Sequence, residues 1–208
     1  MLKNVVLYNS CLTRKKFCGG KFCLETGKLR VYGICLGIFP LMVGSGMIYS
    51  ILALYISELG ASIMHVGTIF TVGALSGAVS SPLIGKLSDK IGRRKILLAS
   101  MVAFVFVFIF YAFAESFIDL YYIQVVEGLA WASLTVSAVT LISDITPKDR
   151  RGSAIGIYDA TWYLGWIIGP SLGGFLAETY GFRQTFIVCS ILMVIGVFLA
   201  YLTTKSLR

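Results

Sequence analysis

The chain has 208 residues, of which 57% are hydrophobic and only 13% are charged, and its formal net charge is +8. Soluble globular proteins carry about 25% charged residues, so this composition cannot cover an apolar core with a water-facing surface. It excludes a soluble enzyme, a disordered protein and a coiled coil. It indicates an integral membrane protein whose apolar exterior is solvated by the lipid bilayer.

Residues 1–30 form a distinct basic segment ahead of the first apolar run. They carry seven of the 18 Lys and Arg residues and three of the five cysteines. Cys18 and Cys23 have C-x4-C spacing, but no second pair follows and His65 is the only histidine, so we expect reduced thiols and no metal site. We expect this segment to be a disordered basic cytoplasmic tail beside anionic lipid, or to reflect a misassigned start.

Six apolar runs follow, and each has about the 20 residues that a transmembrane helix needs. We therefore predict an all-α integral membrane fold in which residues 31–208 form one six-helix domain. Short connections between the runs are typical of neighbouring helices in a bundle. The predicted spans are 31–57, 63–85, 96–114, 120–143, 153–177 and 184–204.

The basic residues lie almost entirely on one side of these spans. They occur before the first span, in the connections after the second and fourth spans, and at the C-terminus, and only Arg183 lies on the other side. The positive-inside rule therefore predicts that both termini are cytoplasmic, and we expect a plasma-membrane location. Because orientation accounts for the basic charge, we expect no nucleic-acid partner.

The six predicted helices differ in composition. Helices 3 and 6 are bulky and apolar throughout, whereas helices 1, 2, 4 and 5 interleave Gly, Ser and Thr with apolar residues. Small residues let helices approach closely in lipid, so we expect helices 1, 2, 4 and 5 to form the interior and helices 3 and 6 to stand outside. Helix 5 is expected to be bent and to act as a hinge or a seal. The residues of that element are Gly165, Gly169, Pro170, Gly173 and Gly174.

Two acids lie inside predicted spans, Glu127 in helix 4 and Asp159 in helix 5. A charged side chain at mid-membrane costs about 2.5–3.5 kcal/mol on insertion scales, and no Lys or Arg lies within a span to pair with them. A protonated carboxyl costs less free energy there than an ionised one, so each acid is a candidate proton or cation site. The alternative is that each acid only hydrogen-bonds a neighbour or reaches a membrane interface. Gln124 and Trp131 share the helix face of Glu127, and we include both in the predicted proton or substrate pathway.

The connection between helices 2 and 3 carries five cations in eleven residues, from Gly85 to Lys95. Asp89 is its only acid and lies one helical turn before Arg93, so the two can pair. Taken alone, the segment is a positive-inside loop with a turn at Gly92.

This connection resembles the signature of the major facilitator superfamily between helices 2 and 3, G-x-x-x-D-[RK]-x-G-[RK]-[RK]. The matching residues are Gly85, Asp89, Lys90, Gly92, Arg93 and Arg94. Three further segments resemble the family in the same order. They are Asp144-Ile145-Thr146-Pro147 with Arg151-Gly152, then the helix-5 glycine motif typical of drug:proton antiporters, then Gly181-Phe182-Arg183.

The resemblance covers residues 31–208 and implies a secondary transporter that works by alternating access. It also implies that Asp89, Arg93 and Asp144 form a gating cluster, with Arg151 nearby, that docks against a second half. Removing Asp89 is then expected to shift the conformational equilibrium by a few kcal/mol. In helix 4, Gln124 occupies the position where the family usually carries Arg, which puts an Arg-dependent coupling scheme in doubt.

Family members usually have twelve helices in two halves, with the substrate bound between them. We therefore expect the N-terminal half of a transporter that moves a small molecule, with proton-coupled efflux favoured and sugar or metabolite transport open. The expected partner is a second six-helix half, as a separate chain or a homodimer. The alternative is a non-transporting regulatory or assembly subunit, or a gene fragment. The chain has no G-x-x-x-x-G-K-[ST] or H-E-x-x-H sequence, so we expect no cofactor and no enzymatic activity.

Overall fold

The computed structural model describes residues 20–205, with side chains from residue 29 onward. Within this part the fold is all-α, as predicted, with one short 3-10 turn at Lys148–Arg150. The six helices are α1 (Gly20–Glu58), α2 (Ile63–Ile91), α3 (Arg93–Phe113), α4 (Phe117–Ile145), α5 (Arg151–Tyr180) and α6 (Phe182–Thr204).

The first helix begins earlier than the first predicted span. Residues 20–30 were assigned to a disordered tail but belong to α1, which has 39 residues and is about 58 Å long at 1.5 Å per residue. This stretch contains Lys, Leu and Glu, which favour the helix, and an existing helix propagates at little cost. The remainder of the predicted tail, residues 1–19, lies outside the described residues, as do the side chains of Cys18 and Cys23.

Five of the described helices, α1, α2, α3, α4 and α6, are long and apolar enough to cross a membrane. Helix α5 has 30 residues, which is sufficient length, but its many Gly, Tyr, Trp and Thr residues make it less hydrophobic. Its assignment as the sixth span therefore stays a prediction from the sequence.

The bundle consists of two groups of three helices. Helix α1 packs most extensively against α5 and α6, and α4 packs in the corresponding way against α2 and α3. The two groups meet mainly along α3 and α6. Thus α2 packs on α4, and α5 packs on α1. This exchange joins the first three helices and the last three helices into one bundle.

Within this chain alone, the expected division into interior and outer helices is not seen, and for a chain paired with a second half it stays a prediction. Helix α1 is the most buried span at 78%, whereas α2 is only 11% buried, less than α3 at 44% or α6 at 39%. Helices α2 and α5 each pack mainly on one neighbour. Their small residues serve that single close contact, and the opposite faces remain exposed.

Glycines make both of these close contacts possible. A Cβ atom on Gly128 of α4 would collide with the carbonyl oxygen of Gly73 on α2. A Cβ atom on Gly169 of α5 would lie 2.6 Å from the carbonyl oxygen of Val43 on α1. Gly165 and Gly173 contact α1 in the same way, through backbone atoms of Met42 and Met47. The spacing of these glycines therefore fixes how closely the helix axes approach.

The turn between α2 and α3 depends on a single residue. Gly92 ends α2 and begins α3 with φ of +106°, a conformation that residues with a side chain rarely adopt. Its N–H donates to the carbonyl oxygen of Ser88 at 2.9 Å. The glycine thus lets the chain reverse without a loop and keeps Asp89 close to Arg93.

Candidate functional site

Glu127 is fully buried in the bundle, with 1% of its surface exposed. Its Oε2 accepts hydrogen bonds from the Tyr111 hydroxyl of α3 and from Gln124 Nε2, the latter at 3.0 Å. Gln124 Nε2 also donates to the Tyr111 hydroxyl at 2.8 Å. The other carboxyl oxygen, Oε1, is buried and has no hydrogen-bond partner among the described residues.

Two other helices contact the backbone and the ring of Tyr111. The Tyr55 hydroxyl of α1 donates to the backbone carbonyl oxygens of Tyr111 and Ala114, at 3.0 and 3.1 Å. The ring of Tyr111 packs on Phe186 of α6, with 5.6 Å between centroids. Three helices besides α4 therefore fix the surroundings of the Glu127 carboxyl.

An aromatic cluster adjoins this carboxyl. We define the cluster as Tyr49, Phe70, Trp131 and Trp166, which come from α1, α2, α4 and α5. Tyr49 stands in the middle, with ring centroids 6.2 Å from Phe70, 6.5 Å from Trp131 and 5.8 Å from Trp166. Trp131 Nε1 donates to the Tyr49 hydroxyl at 3.2 Å. All four rings are half-buried, so the cluster keeps an open edge.

The groups that face Glu127 are uncharged. Besides Tyr111 and Gln124, the side chains that interact with the carboxyl are Tyr49 and Trp131. An ionised carboxylate without a cationic partner is costly in an apolar interior. The arrangement can therefore hold a protonated carboxyl at low cost and can release the proton when the surroundings become wetter.

The other predicted pathway residues divide into two groups. Gln124 lies 2% exposed beside Glu127, and Trp131 lies in the aromatic cluster, so both belong to the same site. Asp159 instead lies exposed on α5, seven residues and about 10 Å before Trp166 along the helix axis. The structure does not bring Asp159 to Glu127.

A charge cluster lies where α2, α3 and α4 meet near the α2–α3 turn. Arg93 forms ion pairs with Asp144 of α4 and with Asp89, the latter at 3.2 Å. Its Nη1 also donates to the carbonyl oxygen of Thr140 at 3.1 Å. The side chains of Asp89 and Asp144 are 66% and 52% exposed. The three residues therefore meet as the resemblance implied, but on the surface.

The remaining loop residues make separate contacts. Arg94 Nε donates to the Thr204 hydroxyl of α6 at 3.0 Å, which ties the turn to that helix. Arg151 forms no ion pair with the described residues, and its Nε is buried without a hydrogen-bond partner. Lys90 is exposed, and Gly85 has no atom within 4 Å of where a Cβ would lie.

Helix α5 continues as one helix through Pro170. Its Gly165, Gly169 and Gly173 all face α1, whereas Gly174 has no neighbour within 4 Å of a Cβ position. The glycine motif thus combines a packing face with one exposed position.

Four residues of this site were not predicted from the sequence: Tyr49, Tyr111, Phe70 and Trp166. One signal could have identified the tyrosines, because a buried tyrosine hydroxyl in an apolar helix needs a hydrogen-bond partner. Tyr111 is the only such residue in the predicted third span, 96–114. The phenylalanine and the tryptophan carried no such signal.

Comparison with known proteins identifies the family. The model of the Major Facilitator Superfamily matches residues 34–207. An uncharacterised MFS-type transporter of Methanocaldococcus jannaschii, MJ1560, is 31% identical over 183 residues, which are 87% of this chain and 47% of the relative. The quinolone resistance protein NorA of Staphylococcus aureus is 28% identical over 149 residues, 72% of this chain and 38% of the relative.

The chain thus spans less than half the length of these curated relatives. The matched residues cover all six helices from the fourth residue of the first predicted span, and they include both the buried carboxyl and the charge cluster. The resemblance drawn from the α2–α3 motif is confirmed: the chain is an integral membrane protein that belongs to the Major Facilitator Superfamily.

Proposed function

We propose that this chain forms the N-terminal half of a proton-coupled efflux transporter that works by alternating access. Glu127 is the proton carrier, and Gln124, Trp131 and the aromatic cluster border the substrate pathway. Both termini lie in the cytoplasm, and the protein resides in the plasma membrane. The observation that carries the proposal is the fully buried Glu127 carboxyl, which has uncharged neighbours and one unpartnered oxygen.

Coupling requires a group whose charge changes between two conformations. A carboxyl in a dry pocket favours the neutral form, and access to water favours the ionised form. A bundle that exposes Glu127 alternately to the two sides of the membrane would therefore move a proton with each cycle. Asp159 is the second candidate, since it lies exposed on α5 and can be wetted in either state.

The direction of transport is inferred from a relative. NorA is named a quinolone resistance protein, and a membrane transporter gives resistance to a compound by removing it. This favours export over uptake. The exposed faces of α2 and α5 support a second six-helix half as the partner, because the substrate would then pass between the halves.

The charge cluster supports a gate on the cytoplasmic side. Asp89 lies 66% exposed, so its carboxylate remains available to a docking partner while Arg93 keeps its bond to Asp144. Gly85, Lys90, Gly92, Arg94 and Arg151 belong to the same proposed gating element. The glycines of α5 are proposed to let that helix seal against α1.

The test is proton-driven flux after substitution of the carboxyl. The tagged chain is purified from its own membrane with any partner that accompanies it and is reconstituted in liposomes under an imposed pH gradient. Transport of a fluorescent fluoroquinolone is then followed. We expect Glu127→Gln to abolish the gradient-driven flux while the protein remains folded, because the amide cannot exchange a proton.

The matched control is Glu115→Gln. Glu115 lies exposed between α3 and α4, so the same substitution there should leave the flux unchanged. Gradient-driven flux that persists in Glu127→Gln would contradict the role of Glu127. A wild-type preparation with its partner that shows no gradient-driven flux would contradict proton-coupled efflux and favour a non-transporting subunit.

A further inference from the structure

The network around Glu127 treats its two oxygens differently. Oε2 receives two donors, the Tyr111 hydroxyl and Gln124 Nε2, whereas Oε1 is buried without a hydrogen-bond partner. An uncommitted oxygen on a buried carboxyl is expensive as an anion. This difference between the two oxygens therefore indicates which of them holds the proton.

The direction of each hydrogen bond follows from the chemistry of the donors. An amide nitrogen only donates, so the Tyr111 oxygen accepts from Gln124 at 2.8 Å and its own hydrogen is free for Glu127. In this orientation the amide oxygen points at α2, where a Cβ on Gly73 would meet it. Oε2 thus accepts two hydrogen bonds, and it could be protonated only if one of these hydrogen bonds broke.

We infer that Tyr111 is a positioning residue that holds Oε2 of Glu127 as an acceptor, so that the transported proton is carried on Oε1. This inference rests on the proposed function of Glu127 as the proton carrier. Tyr111 does not exchange the proton itself. It directs the exchange to the other carboxyl oxygen, Oε1.

The placement of Tyr111 fits a positioning role. The residue is 0% exposed, its backbone carbonyl oxygen is bonded by the Tyr55 hydroxyl at 3.0 Å, and its ring packs on Phe186. Full burial and the Phe186 contact therefore fix the ring, and with it the hydroxyl, whereas the Tyr55 bond holds only the backbone of α3. The apolar helix α3 in this way controls a carboxyl on α4.

Infrared spectroscopy tests the inference on the purified 208-residue chain in lipid. A protonated carboxyl has a C=O stretching band whose frequency falls as that oxygen accepts hydrogen bonds. The band of Glu127 is assigned by its disappearance in Glu127→Gln. With the proton on Oε1, Oε2 is the C=O oxygen, and we expect a low-frequency band that moves to higher frequency in Tyr111→Phe.

Two further samples separate positioning from packing. Tyr55→Phe removes an equally buried hydroxyl that bonds backbone and not the carboxyl, so the band should stay in place. A ring-fluorinated tyrosine in place of Tyr111 keeps the ring and hydroxyl but is a stronger donor, and it should move the band to lower frequency. This sample keeps the test decisive if Tyr111→Phe does not fold.

The outcomes distinguish the inference from the proposed function. An assigned carboxyl band that does not move in Tyr111→Phe or with the fluorinated tyrosine would overturn the inference and leave the proton carrier in place. Absence of any carboxyl band that Glu127→Gln removes, at every pH, would overturn proton carriage. In that case the carboxylate stretching bands that Glu127→Gln removes are used instead. A shift of these bands in Tyr111→Phe would show that Tyr111 holds Oε2, and unchanged bands would show that it does not.

Discussion

The contact between α1 and α5 can be tested with two neighbouring glycines. A Cβ on Gly173 would lie 2.6 Å from the Cα and 2.8 Å from the carbonyl carbon of Met47 on α1. A Cβ on Gly174, the next residue, would have nothing within 4 Å. Gly173→Ala should therefore force the two helices apart, whereas Gly174→Ala should be accommodated.

The magnitude follows from the backbone distances. Carbon atoms in ordinary contact are about 3.5–4.0 Å apart, so the helices must separate by about 1 Å at Gly173. The obstacle is backbone, and the tight approach of Gly169 to Val43 leaves no slack one turn away. Overpacking of this kind costs about 1–3 kcal/mol. Both substitutions gain about 1 kcal/mol of helix propensity, which cancels in the comparison.

We therefore expect Gly173→Ala to unfold about 1–3 kcal/mol more easily than Gly174→Ala. The assay is equilibrium unfolding of each variant in detergent micelles, with helix content followed by circular dichroism. Gly174→Ala should equal or exceed the wild type in stability. Equal stability of the two variants would refute the close packing of α5 on α1 at this point, and with it the proposal that these glycines form a seal.

Two further predictions concern charge and orientation. Asp89→Asn should lower the unfolding free energy of the chain by only about 0.5 kcal/mol, and by less in high salt, because exposed ion pairs contribute little and Arg93 keeps its bonds to Asp144 and Thr140. Denaturant titration at two salt concentrations checks this. A loss of several kcal/mol would mean that the pair is buried. Reporter fusions at Lys205 and at Ser116 should lie on opposite sides of the membrane, with Lys205 cytoplasmic, and a common side for both would contradict the six-span topology.

The effect of Asp89 illustrates what the sequence could and could not supply. Spacing across one tight turn predicted the pairing of Asp89 with Arg93, whereas only the family resemblance placed Asp144 of α4 beside them. The shift of a few kcal/mol that was expected on removing Asp89 assumed that its ion pairs are partly buried. Within this chain the two carboxylates are more than half exposed, so a larger effect on transport would have to come from docking to a second half.

Helix positions were predictable because lipid imposes a length and an apolar composition on each span. The pairing of Gln124 with Glu127 was also predictable, since residues three apart share a helix face. The start of α1 was not, because helix propagation past an apolar run leaves no mark in hydropathy. Nor was the exposure of α2 and α5, since small residues predict a close contact but not how many neighbours a helix has.

Tyr111 is the residue that apolar patterning concealed most completely. It lies in the most uniformly hydrophobic part of the chain, sixteen residues before Glu127, so no local spacing connects the two. In lipid, however, a helix gains no solvation from water, and a tyrosine hydroxyl, which lies too far from its own backbone to bond it, must find its partner on another helix. A lone tyrosine in an apolar span therefore predicts a buried polar partner elsewhere in the bundle. Here Glu127, at the corresponding depth on α4, satisfies that requirement, and the sequence already contained both ends of the bond.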